Sequence, residues 1–567
     1  MSKDNKEIGL QKNDRPLLVT MALPYANGSI HLGHLVEAVI ADVFVRTNKM
    51  AGRDTIYICA DDTHGTPIQI SAMQQNITPE ELIAKAFDEH TADYATYGIE
   101  FDNYYTTNSE ENRIWSEKIY AELQKNGLIN KKVIQQFYCE HDQRFLPDRF
   151  VKGTCPKCSA SNQYGDNCVA CGASYNSEDI KDPACTLCQK PPVLKDSEHL
   201  FVDMQKEKDF LEKFLAKDGV IQDDIKVFIK NWVGDLHERC ISRDAPYFGF
   251  KIPGTGQDGT APKYFYVWLD APIGYISSTQ NYCEKNGLDI NKYWAENSNA
   301  EIVHIIGKDI VFFHALLWTM MLKSAKIKLP DSLYIHGFLT VEGKKMSKSD
   351  GTFILAKDFA QKVPHQNATQ FLRFYFASKL TPTVDDLDFS IDEFINVVNS
   401  ALVNNIGNFC NRTSTFLDKF FDSTIPDVAV DSKIEAQSLE LVKKVIENLN
   451  SRNFRAAVDE IRKLGDLANK YFQDEKPWDL VKTDSERAKT VMATCANLVP
   501  VLGTVIKPIV PEIVKTLEKQ FDETFTWDSA NFTRKNKKTG TAQKLALPLE
   551  KSLFDGLYEE KKDAKRA

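Results

Sequence analysis

The chain of 567 residues is too long for one hydrophobic core, and its length predicts about three or four domains. A hydrophobic fraction of 43% with 11% aromatic residues excludes general disorder, and a net charge of −9 means that any nucleic-acid partner must meet a locally basic face. No apolar run approaches the roughly 18 residues of a membrane helix, and the first residues are polar. We therefore predict a cytoplasmic protein without a membrane partner.

The chain opens with an apolar strand over residues 17–23, a turn, and a helical pattern over residues 32–52. This order places His31, Gly33 and His34 at a helix N-terminus, where unpaired backbone N–H groups and the helix dipole favour a phosphate. Imidazoles can also donate hydrogen bonds to phosphoryl oxygens without a fixed charge. The pattern predicts a nucleotide triphosphate site, and its alternative is an ordinary helix start around a packing glycine.

Strands and helices continue to alternate after this unit. Residues 55–60 predict a strand that runs into Asp61 and Asp62, and carboxylates at the carboxyl end of a parallel strand lie where α/β sheets bind ligands. Helices follow at residues 79–97 and 109–126, and after a cysteine-rich insert the α/β pattern resumes near residue 263, at 301–309, 310–322 and 333–339. The predicted fold class is α/β, a doubly wound parallel sheet of the Rossmann type that is split by the insert.

Beyond residue 391 the pattern changes to one helix after another. These helices are predicted at residues 394–411, 432–450, 454–472, 485–502 and 511–521. Such a run indicates a separate all-α helical-bundle domain that follows the nucleotide fold.

Two short motifs on either side of the insert carry a resemblance to a known family. His31-Leu32-Gly33-His34 and Lys345-Met346-Ser347-Lys348-Ser349 resemble the HIGH and KMSKS signatures of class I aminoacyl-tRNA synthetases, in the same order. The neighbouring sequences at residues 22–28, 60–67 and 268–275 resemble the methionyl-tRNA synthetase family in particular. The resemblance implies a methionine–tRNA ligase that activates L-methionine with ATP, releases pyrophosphate and transfers methionine to the 3′ end of initiator and elongator tRNA-Met.

Together with this resemblance, the changes in sequence pattern along the chain predict seven segments. They are a flexible N-terminal tail (1–13), the first half of the Rossmann catalytic domain (14–130), a connective insert with zinc knuckles (131–245), the second half of the catalytic domain (246–340), the KMSKS-like loop with a stem-contact region (341–392), an α-helical anticodon-binding domain (393–555) and a charged tail (556–567). Nothing after Asp555 is long enough for a further tRNA-binding module, so a monomer is expected.

The resemblance implies a two-part phosphate site, because an in-line attack on the α-phosphorus of ATP needs positioning and charge neutralisation more than a strong base. The implied catalytic residues are His31, His34, Lys345 and Lys348. The implied nucleotide contacts are Gly33, Lys308, Asp309, Met346, Ser347 and Ser349. The loop would be hinged at Gly343 and Gly351, and Mg²⁺ would bridge the phosphates.

Methionine recognition must rely on shape and on soft apolar contacts, because a thioether offers no strong hydrogen bond. By resemblance the pocket is lined by Leu23, Tyr25, Trp268, Ala271, Pro272, Tyr275, Ile310 and His314. Asp62 is expected to take the ammonium group, although the sequence does not distinguish its orientation from that of Asp61. Core packing is the alternative role for the two aromatic residues at positions 268 and 275.

Eight of the 12 cysteines fall between Cys139 and Cys240, and without an export signal their Cys-x-x-Cys pairs indicate metal rather than disulfides. The first predicted zinc site is a tetrathiolate of Cys155, Cys158, Cys168 and Cys171. A second predicted site consists of Cys139, Cys185 and Cys188 with His141 or Asp142. Family members with two zinc ions carry a cysteine where this chain has Asp142, so the expectation of two zinc ions depends on a nitrogen or oxygen ligand.

The helical domain offers a surface for the distant anticodon. By resemblance Trp478 would stack on an anticodon base, while Asn408 and Arg412, four residues apart on one helix face, would contact base edges. Arg452 and Arg455 are weaker candidates for phosphate contacts.

Two other functions are compatible with parts of the sequence. One is a class I synthetase for leucine, isoleucine, valine or cysteine, which is disfavoured because the insert is filled by metal knuckles and leaves no room for a large editing domain. The other is a zinc-ribbon RNA-binding or scaffold protein with an inactive nucleotide fold, which is disfavoured because both motifs keep their functional side chains.

Overall fold

The structure is a computed structural model that describes residues 13–147, 150–165, 168, 170–171, 173, 175, 179–257, 260–347 and 351–557. Nearly all of the predicted N-terminal tail and most of the charged tail lie outside the described residues, as do Lys348 and Ser349.

The first half of the nucleotide fold alternates strands and helices, as its hydrophobic pattern predicts. Its elements are β1 (Leu17–Met21), α1 (Leu32–Met50), β2 (Thr55–Asp61), α2 (Thr66–Gln75), α3 (Pro79–Thr96), β3 (Asn103–Thr106) and α4 (Glu110–Lys125). Every residue of β1 and β2 is buried, which explains why both strands appear as apolar runs in the sequence. Thr78 caps α3 by accepting from the N–H of Glu81, whose carboxylate accepts in return from the N–H of Thr78.

The insert is more regular than its sequence suggests. Its elements are β4 (Ile129–Cys139), β5 (Arg144–Phe145), β6 (Val151–Thr154), β7 (Gln163–Tyr164), β8 (Lys181–Cys185), β9 (Val193–Val202), α5 (Lys208–Leu215), α6 (Asp223–Gly234), β10 (Arg239–Cys240) and β11 (Ser242–Asp244). The long strands β4 and β9 pair antiparallel within a sheet of order β10-β9-β4-β5, and a smaller sheet has the order β7-β6-β8. Many of the residues in both long strands are exposed and charged, so the strands lack the apolar alternation that would predict them.

The second half of the nucleotide fold leads into a small sheet at the loop. Its elements are β12 (Lys263–Phe265), α7 (Val267–Asp270), α8 (Gly274–Asn286), α9 (Asn291–Trp294), β13 (Glu301–Gly307), a π-helical turn (Phe313–Trp318), α10 (Thr319–Ser324), β14 (Ser332–His336), β15 (Leu339–Val341), β16 (Lys344–Lys345), α11 (Ala356–Lys362), α12 (Ala368–Lys379) and β17 (Leu387–Phe389). The helix predicted over residues 310–322 is therefore a π-helical turn followed by a short α-helix.

The central sheet has five parallel strands in the order β14-β13-β1-β2-β3. From β1 the chain winds outward through β2 and β3, and after the insert it winds the other way through β13 and β14. The doubly wound Rossmann-type prediction is thus confirmed. In such sheets ligands bind outside the carboxyl ends of the strands at the switch in winding, which here lies between β1 and β13.

The C-terminal part is helical, as predicted. Its elements are α13 (Ile391–Val397), a π-helical stretch (Val398–Gly407), α14 (Asn408–Phe421), α15 (Ser432–Asn450), α16 (Phe454–Glu475), α17 (Pro477–Thr483), α18 (Ser485–Ile506), α19 (Pro511–Phe521) and 3-10 turns at Trp527–Ser529 and Lys551–Phe554. By length and hydropathy α18 could cross a membrane, but 89% of its most apolar window is buried inside the protein. It therefore packs as a core helix of this domain.

The helical domain is joined to the nucleotide fold along α1. The indole N–H of Trp527 donates to the carbonyl oxygen of Thr47 at 2.9 Å, near the end of that helix. The guanidinium of Arg452 lies over the rings of Phe44 and Tyr334, at 4.9 Å from each centroid. The structure thus places the guanidinium of Arg452 in this interface, and a contact of Arg452 with tRNA phosphates stays a prediction.

Candidate functional site

The predicted histidines sit at the first turn of α1, beside the switch in winding. His31 caps the helix in an extended conformation, with φ −120° and ψ 169°. Its Nδ1 accepts from the N–H of Gly33 at 3.1 Å, and its backbone N–H donates to Nδ1 of His34 at 3.3 Å. Because both Nδ1 atoms accept, the proton of each neutral ring lies on Nε2. The cap therefore fixes two imidazoles as N–H donors.

The two rings also pack against each other. They stack with centroids 3.7 Å apart and an interplanar angle of 20°. Burial, with smaller contributions from His31 and His90, lowers the pKa of His34 well below its ordinary value. No acidic residue lies in the first turn of α1, so its backbone N–H groups meet no competing carboxylate from their own helix. The helix start is suited to bind an anionic group.

The loop that carries the second motif packs against the start of α1, which carries the first. A side chain at Gly33 would place its Cβ 3.1 Å from the terminal methyl of Met346 and 2.9 Å from Cε1 of His31, so only glycine fits between them. The N–H of Leu32 donates to the carbonyl of Ile354 at 3.1 Å, which ties the end of the loop to the helix start. Two segments about three hundred residues apart in sequence thus form one site.

The loop itself is described on both sides of the gap at residues 348–350. Gly343 and Gly351 have φ values of +71° and +73°, a left-handed backbone conformation that favours glycine. Their role as hinges of the loop stays a prediction. The hydroxyl of Thr352 accepts from the N–H of Ser347 at 3.1 Å and donates to the carbonyl of Lys345 at 3.0 Å. Lys345 is exposed. The roles of Lys348 and Ser349 stay predictions, because both lie outside the described residues.

Lys308 and Asp309 follow β13 at the same edge of the sheet. The ammonium group of Lys308 lies 2.6 Å from Oδ1 of Asp386 and 4.6 Å from the ring centroid of Phe338. Asp309 is exposed. The structure therefore places Lys308 at the predicted edge, held by an acidic partner that the sequence did not indicate.

A buried ion pair that the sequence did not predict lies at this edge of the central sheet. Glu37 on α1 accepts from Nε2 of His336 at 2.9 Å and from the backbone N–H of Ala22. His336 Nδ1 also donates to the carbonyl of Gly337 at 2.8 Å. Although burial opposes it, the contact with Glu37 raises the pKa of His336. The only signal in the sequence was a glutamate on an otherwise apolar helix face.

The predicted methionine pocket has a neutral polar wall. The hydroxyl of Tyr275 donates to Nε2 of His314 at 2.8 Å, and Nδ1 of His314 donates to the carbonyl of Ile310 at 3.1 Å. Burial lowers the pKa of His314 to about 4, so this ring is uncharged at neutral pH. Trp268 stacks on Phe313, with centroids 4.0 Å apart and planes within 5°.

The remaining apolar wall comes from the turn after β1 and the start of α8. A Cβ at Gly274 would lie 2.6 Å from Cδ2 of Leu23, which shows how closely the turn and the helix approach. Ala271 and Pro272 are buried beside it. The structure thus brings the predicted pocket residues together from three separate segments.

Asp61 and Asp62 turn to different partners. Asp61 accepts from Nδ1 of His90 at 2.7 Å and from the hydroxyl of Tyr104. The backbone of Asp62 forms an isolated β-bridge with that of Tyr25. The side-chain Oδ1 of Asp62 is buried without a hydrogen-bond partner among the described residues. Asp61 also keeps a buried oxygen without a hydrogen-bond partner, Oδ2, but it already pairs with His90. Asp62 has no basic partner among the described residues and is therefore the carboxylate that an ammonium group would pair with.

Two of the predicted anticodon residues, Arg412 and Trp478, lie beside the ring of Phe472. The guanidinium of Arg412 lies 4.7 Å from the ring centroid of Phe472, and the ring of Trp478 lies 6.2 Å from the same centroid. Asn408 is exposed at the first turn of α14, on the same helix face as Arg412. Together they form a partly exposed patch at one end of the helical domain.

The insert carries both predicted metal clusters. In the first, the sulfurs of Cys155 and Cys171 lie 3.9 Å apart, and those of Cys158 and Cys168 lie 3.5 Å apart. All four sulfurs lie within 4.8 Å of one another. Tetrahedral zinc with Zn–S bonds of about 2.3 Å needs sulfurs about 3.8 Å apart, so this cluster fits a structural zinc ion.

The geometry of the second cluster distinguishes between its two candidate ligands, His141 and Asp142. Oδ2 of Asp142 lies 3.1 Å from the sulfur of Cys139 and 3.1 Å from that of Cys185, and Cys188 completes the group. His141 instead lies outside the cluster, with its Nδ1 3.0 Å from the other oxygen of Asp142. The donor set of three sulfurs and one carboxylate oxygen is compatible with zinc.

The comparisons with known proteins agree with this geometry. Residues 17–414 match the family model described as tRNA synthetases class I (M), and residues 427–565 match the anticodon binding domain of methionyl tRNA ligase. Mycobacterium tuberculosis methionyl-tRNA synthetase in complex with methionyl-adenylate has a similar fold, with a TM-score of 0.75 and 21% identity over 95% of this chain and 99% of that chain. Its apo form gives a TM-score of 0.69 with 20% identity, over 95% of this chain and 100% of that chain. Since the first family match spans more than half of the sequence, the chain belongs to the methionyl-tRNA synthetase family of class I aminoacyl-tRNA synthetases, which are aminoacyl-tRNA ligases.

Proposed function

We propose that this chain activates L-methionine as the adenylate and then transfers methionine to the 3′ end of tRNA-Met. The observation that carries the proposal is the junction of the His31–His34 helix start with the Met346 loop, beside the switch in winding of the central sheet. In the first step the methionine carboxylate attacks the α-phosphorus of ATP and pyrophosphate leaves. In the second, a hydroxyl of the terminal ribose attacks the adenylate carbonyl and AMP leaves.

The chain's own groups would act through position and hydrogen bonding. His31 and His34 present Nε2–H donors that would gain strength as charge develops on the phosphate oxygens. Lys345 and Lys348 would hold the leaving pyrophosphate from the loop, and Lys308 would approach from β13 after release from Asp386. Mg²⁺ bound with ATP would neutralise phosphate charge.

The test of the proposal is amino-acid-dependent exchange of pyrophosphate into ATP across all twenty amino acids. Exchange with methionine alone is the expected result. Exchange with leucine, isoleucine, valine or cysteine would favour the alternative synthetase, and binding of tRNA without any exchange would favour the RNA-binding protein.

We propose that Trp478, Arg412 and Asn408 contact the anticodon, because they form one partly exposed patch in the helical domain, far along the chain from the phosphate site. Replacement of Trp478 by alanine should raise KM for tRNA about 10- to 100-fold, since stacking of one base on an aromatic ring contributes about 1–3 kcal/mol. Methionine-dependent exchange without tRNA should be unchanged. Trp478→Phe keeps a stacking ring and should retain most of the charging. Equal loss of exchange and charging in the alanine variant would contradict the assignment.

We propose that both clusters hold zinc, one ion each, in the protein as purified from zinc-supplemented cells. Elemental analysis should find two zinc ions per chain in the wild type and one each in Cys158→Ser and Cys188→Ser. Cys240→Ser is the matched control, because Cys240 belongs to neither cluster, and it should keep two ions. One zinc ion in the wild type would count against the second cluster.

We further propose that the enzyme acts as a monomer in the cytoplasm. Sedimentation of the purified chain and fractionation of cells would test the two statements separately.

A further inference from the structure

A second buried carboxylate, that of Asp270, lies near Asp62, the residue predicted to bind the ammonium group. Asp270 closes α7, between the predicted pocket residues Trp268 and Ala271, and it is only 1% exposed. Its Oδ2 accepts from Nδ1 of His64, while its Oδ1 has no hydrogen-bond partner among the described residues. Asp62 is 9% exposed and likewise has an unpartnered Oδ1. Two neighbouring acids therefore each have an acceptor that a bound ligand could satisfy.

The other titratable or charged groups around this pair leave the two acceptors open. Tyr25 donates to the backbone carbonyl of His64 at 2.6 Å, and burial raises its pKa, so it stays neutral. Burial likewise raises the pKa of Tyr247 and of Tyr275. Asp61 accepts through Oδ1 from His90 and Tyr104, while its Oδ2 is a further buried oxygen without a partner among the described residues. Arg243 stacks on Tyr266 and donates to the carbonyl of Ser242, and no lysine or arginine among the described residues has a hydrogen bond to Asp62 or Asp270.

The two carboxyl groups influence each other. Burial is the main cause that raises the pKa of Asp62 well above its usual range, and the nearby charge of Asp270 is the second. Burial also raises the pKa of Asp270, against the opposing effect of His64. Two like charges that are buried together cannot both ionise easily, so the ligand-free pair keeps a proton to higher pH than two separate carboxyl groups would.

We propose that Asp270 completes the ammonium subsite with Asp62, and that methionine binding releases a proton held by this pair of carboxyl groups. The inference rests on the proposed function, because it takes methionine as the ligand. When the ammonium group enters, its N–H groups donate to the two open oxygens and its positive charge replaces that of the proton. The proton leaves the carboxyl oxygen for solvent, and no covalent bond to carbon, nitrogen or phosphorus changes.

The sign of the pH dependence follows from this exchange. At low pH methionine must compete with the bound proton, so its apparent affinity is weak. As the pH rises through the titration of the pair, the Kd for methionine should fall by up to tenfold per pH unit, and it should level off once both acids are ionised. The free ammonium group of methionine loses its own proton only at higher pH.

The experiment is isothermal titration of methionine into the full chain in phosphate and in Tris buffer at the same pH. The buffers differ in ionisation enthalpy, so the difference in observed heat counts the protons released. Measured over a range of pH, the release should approach one proton per methionine at the low end and decline as the ligand-free pair ionises. L-Methioninol keeps the ammonium group and lacks the carboxylate, so it should release the same number.

Asp270→Asn tests the second acid directly. Without Asp270, Asp62 loses the second cause that raises its pKa while burial remains, so Asp62 should ionise at lower pH. Proton release at a given pH should therefore be smaller, and the pH dependence of Kd should shift to lower pH. Asp270→Glu should restore part of the release. Identical heats in both buffers for the wild type, or unchanged release in a folded Asp270→Asn protein, would overturn the inference. Absence of methionine-dependent pyrophosphate exchange would instead overturn the proposed function, so the two failures are distinguishable.

Discussion

Replacement of Arg373 by methionine should lower the free energy of unfolding by about 3–5 kcal/mol, because it removes one partner of a fully buried ion pair. Arg373 on α12 is 0% exposed and donates to Oδ2 of Asp42 at 2.6 Å. It also donates to the carbonyl of Ile509 at 2.7 Å and to that of Gly98 at 3.3 Å. The variant would leave a buried carboxylate with fewer donors and would remove the guanidinium donor from the carbonyl of Ile509.

The same guanidinium joins the two parts of the protein, since Asp42 lies on the helix that carries the phosphate-site histidines and Ile509 follows α18. Urea and thermal unfolding, followed by circular dichroism, should show a lower midpoint. Arg46→Met is the matched control: Arg46 also donates to Asp42, at 2.7 Å, but its side chain is 15% exposed and Arg373 would remain. Its loss should be smaller. An Arg373→Met protein that unfolds at the wild-type midpoint would show that the buried pair contributes nothing net.

Much of the fold follows from local signals. The helices predicted at residues 432–450 and 511–521 have those same bounds in the structure. Asp431 caps the first of them and Pro511 opens the second, and both signals are visible in the sequence. The buried strands of the central sheet were equally clear because both of their faces are covered, which gives continuous apolar runs.

The site was only partly predictable, because several of its contacts join residues that are far apart in the chain. The partner of Glu37 is His336, 299 positions away, and no local pattern connects them. The contact that distinguishes Asp61 from Asp62 comes from α3, because His90 on that helix is the hydrogen-bond partner of Asp61. Neighbouring residues at a strand end point to opposite faces, but only the packing decides which face the ligand can reach.

The choice of the fourth ligand in the second metal cluster was open for a similar reason. His141 and Asp142 are adjacent, and both can bind zinc. The turn after β4 directs Asp142 towards the sulfurs and leaves the side chain of His141 52% exposed. Spacing alone could identify the cluster but not the donor atom.

Replacement of His34 by alanine should reduce the rate of methionine activation by about 100- to 1,000-fold, which is the effect expected when one preorganised hydrogen-bond donor to a developing charge is lost. The Nδ1 of His34 is occupied by the backbone N–H of His31, so Nε2–H is the donor that disappears. The same change also removes the ring that stacks on His31. The loss should appear in the rate of pyrophosphate exchange at saturating substrates, while the affinity for methionine should change little.

His34→Gln provides the matched control, because the amide nitrogen of glutamine can take the position of Nε2 and should restore part of the rate. The low pKa of His34 adds a second readout. Since the ring is neutral well below pH 6.5, its protonation should not reduce the wild-type exchange rate between about pH 6 and 8, and the residual rate of His34→Ala should have the same pH profile over that range. A raised KM for methionine with an unchanged rate would instead place His34 in the amino-acid pocket. That result would contradict a site in which the cap of α1 holds both imidazoles toward the phosphates.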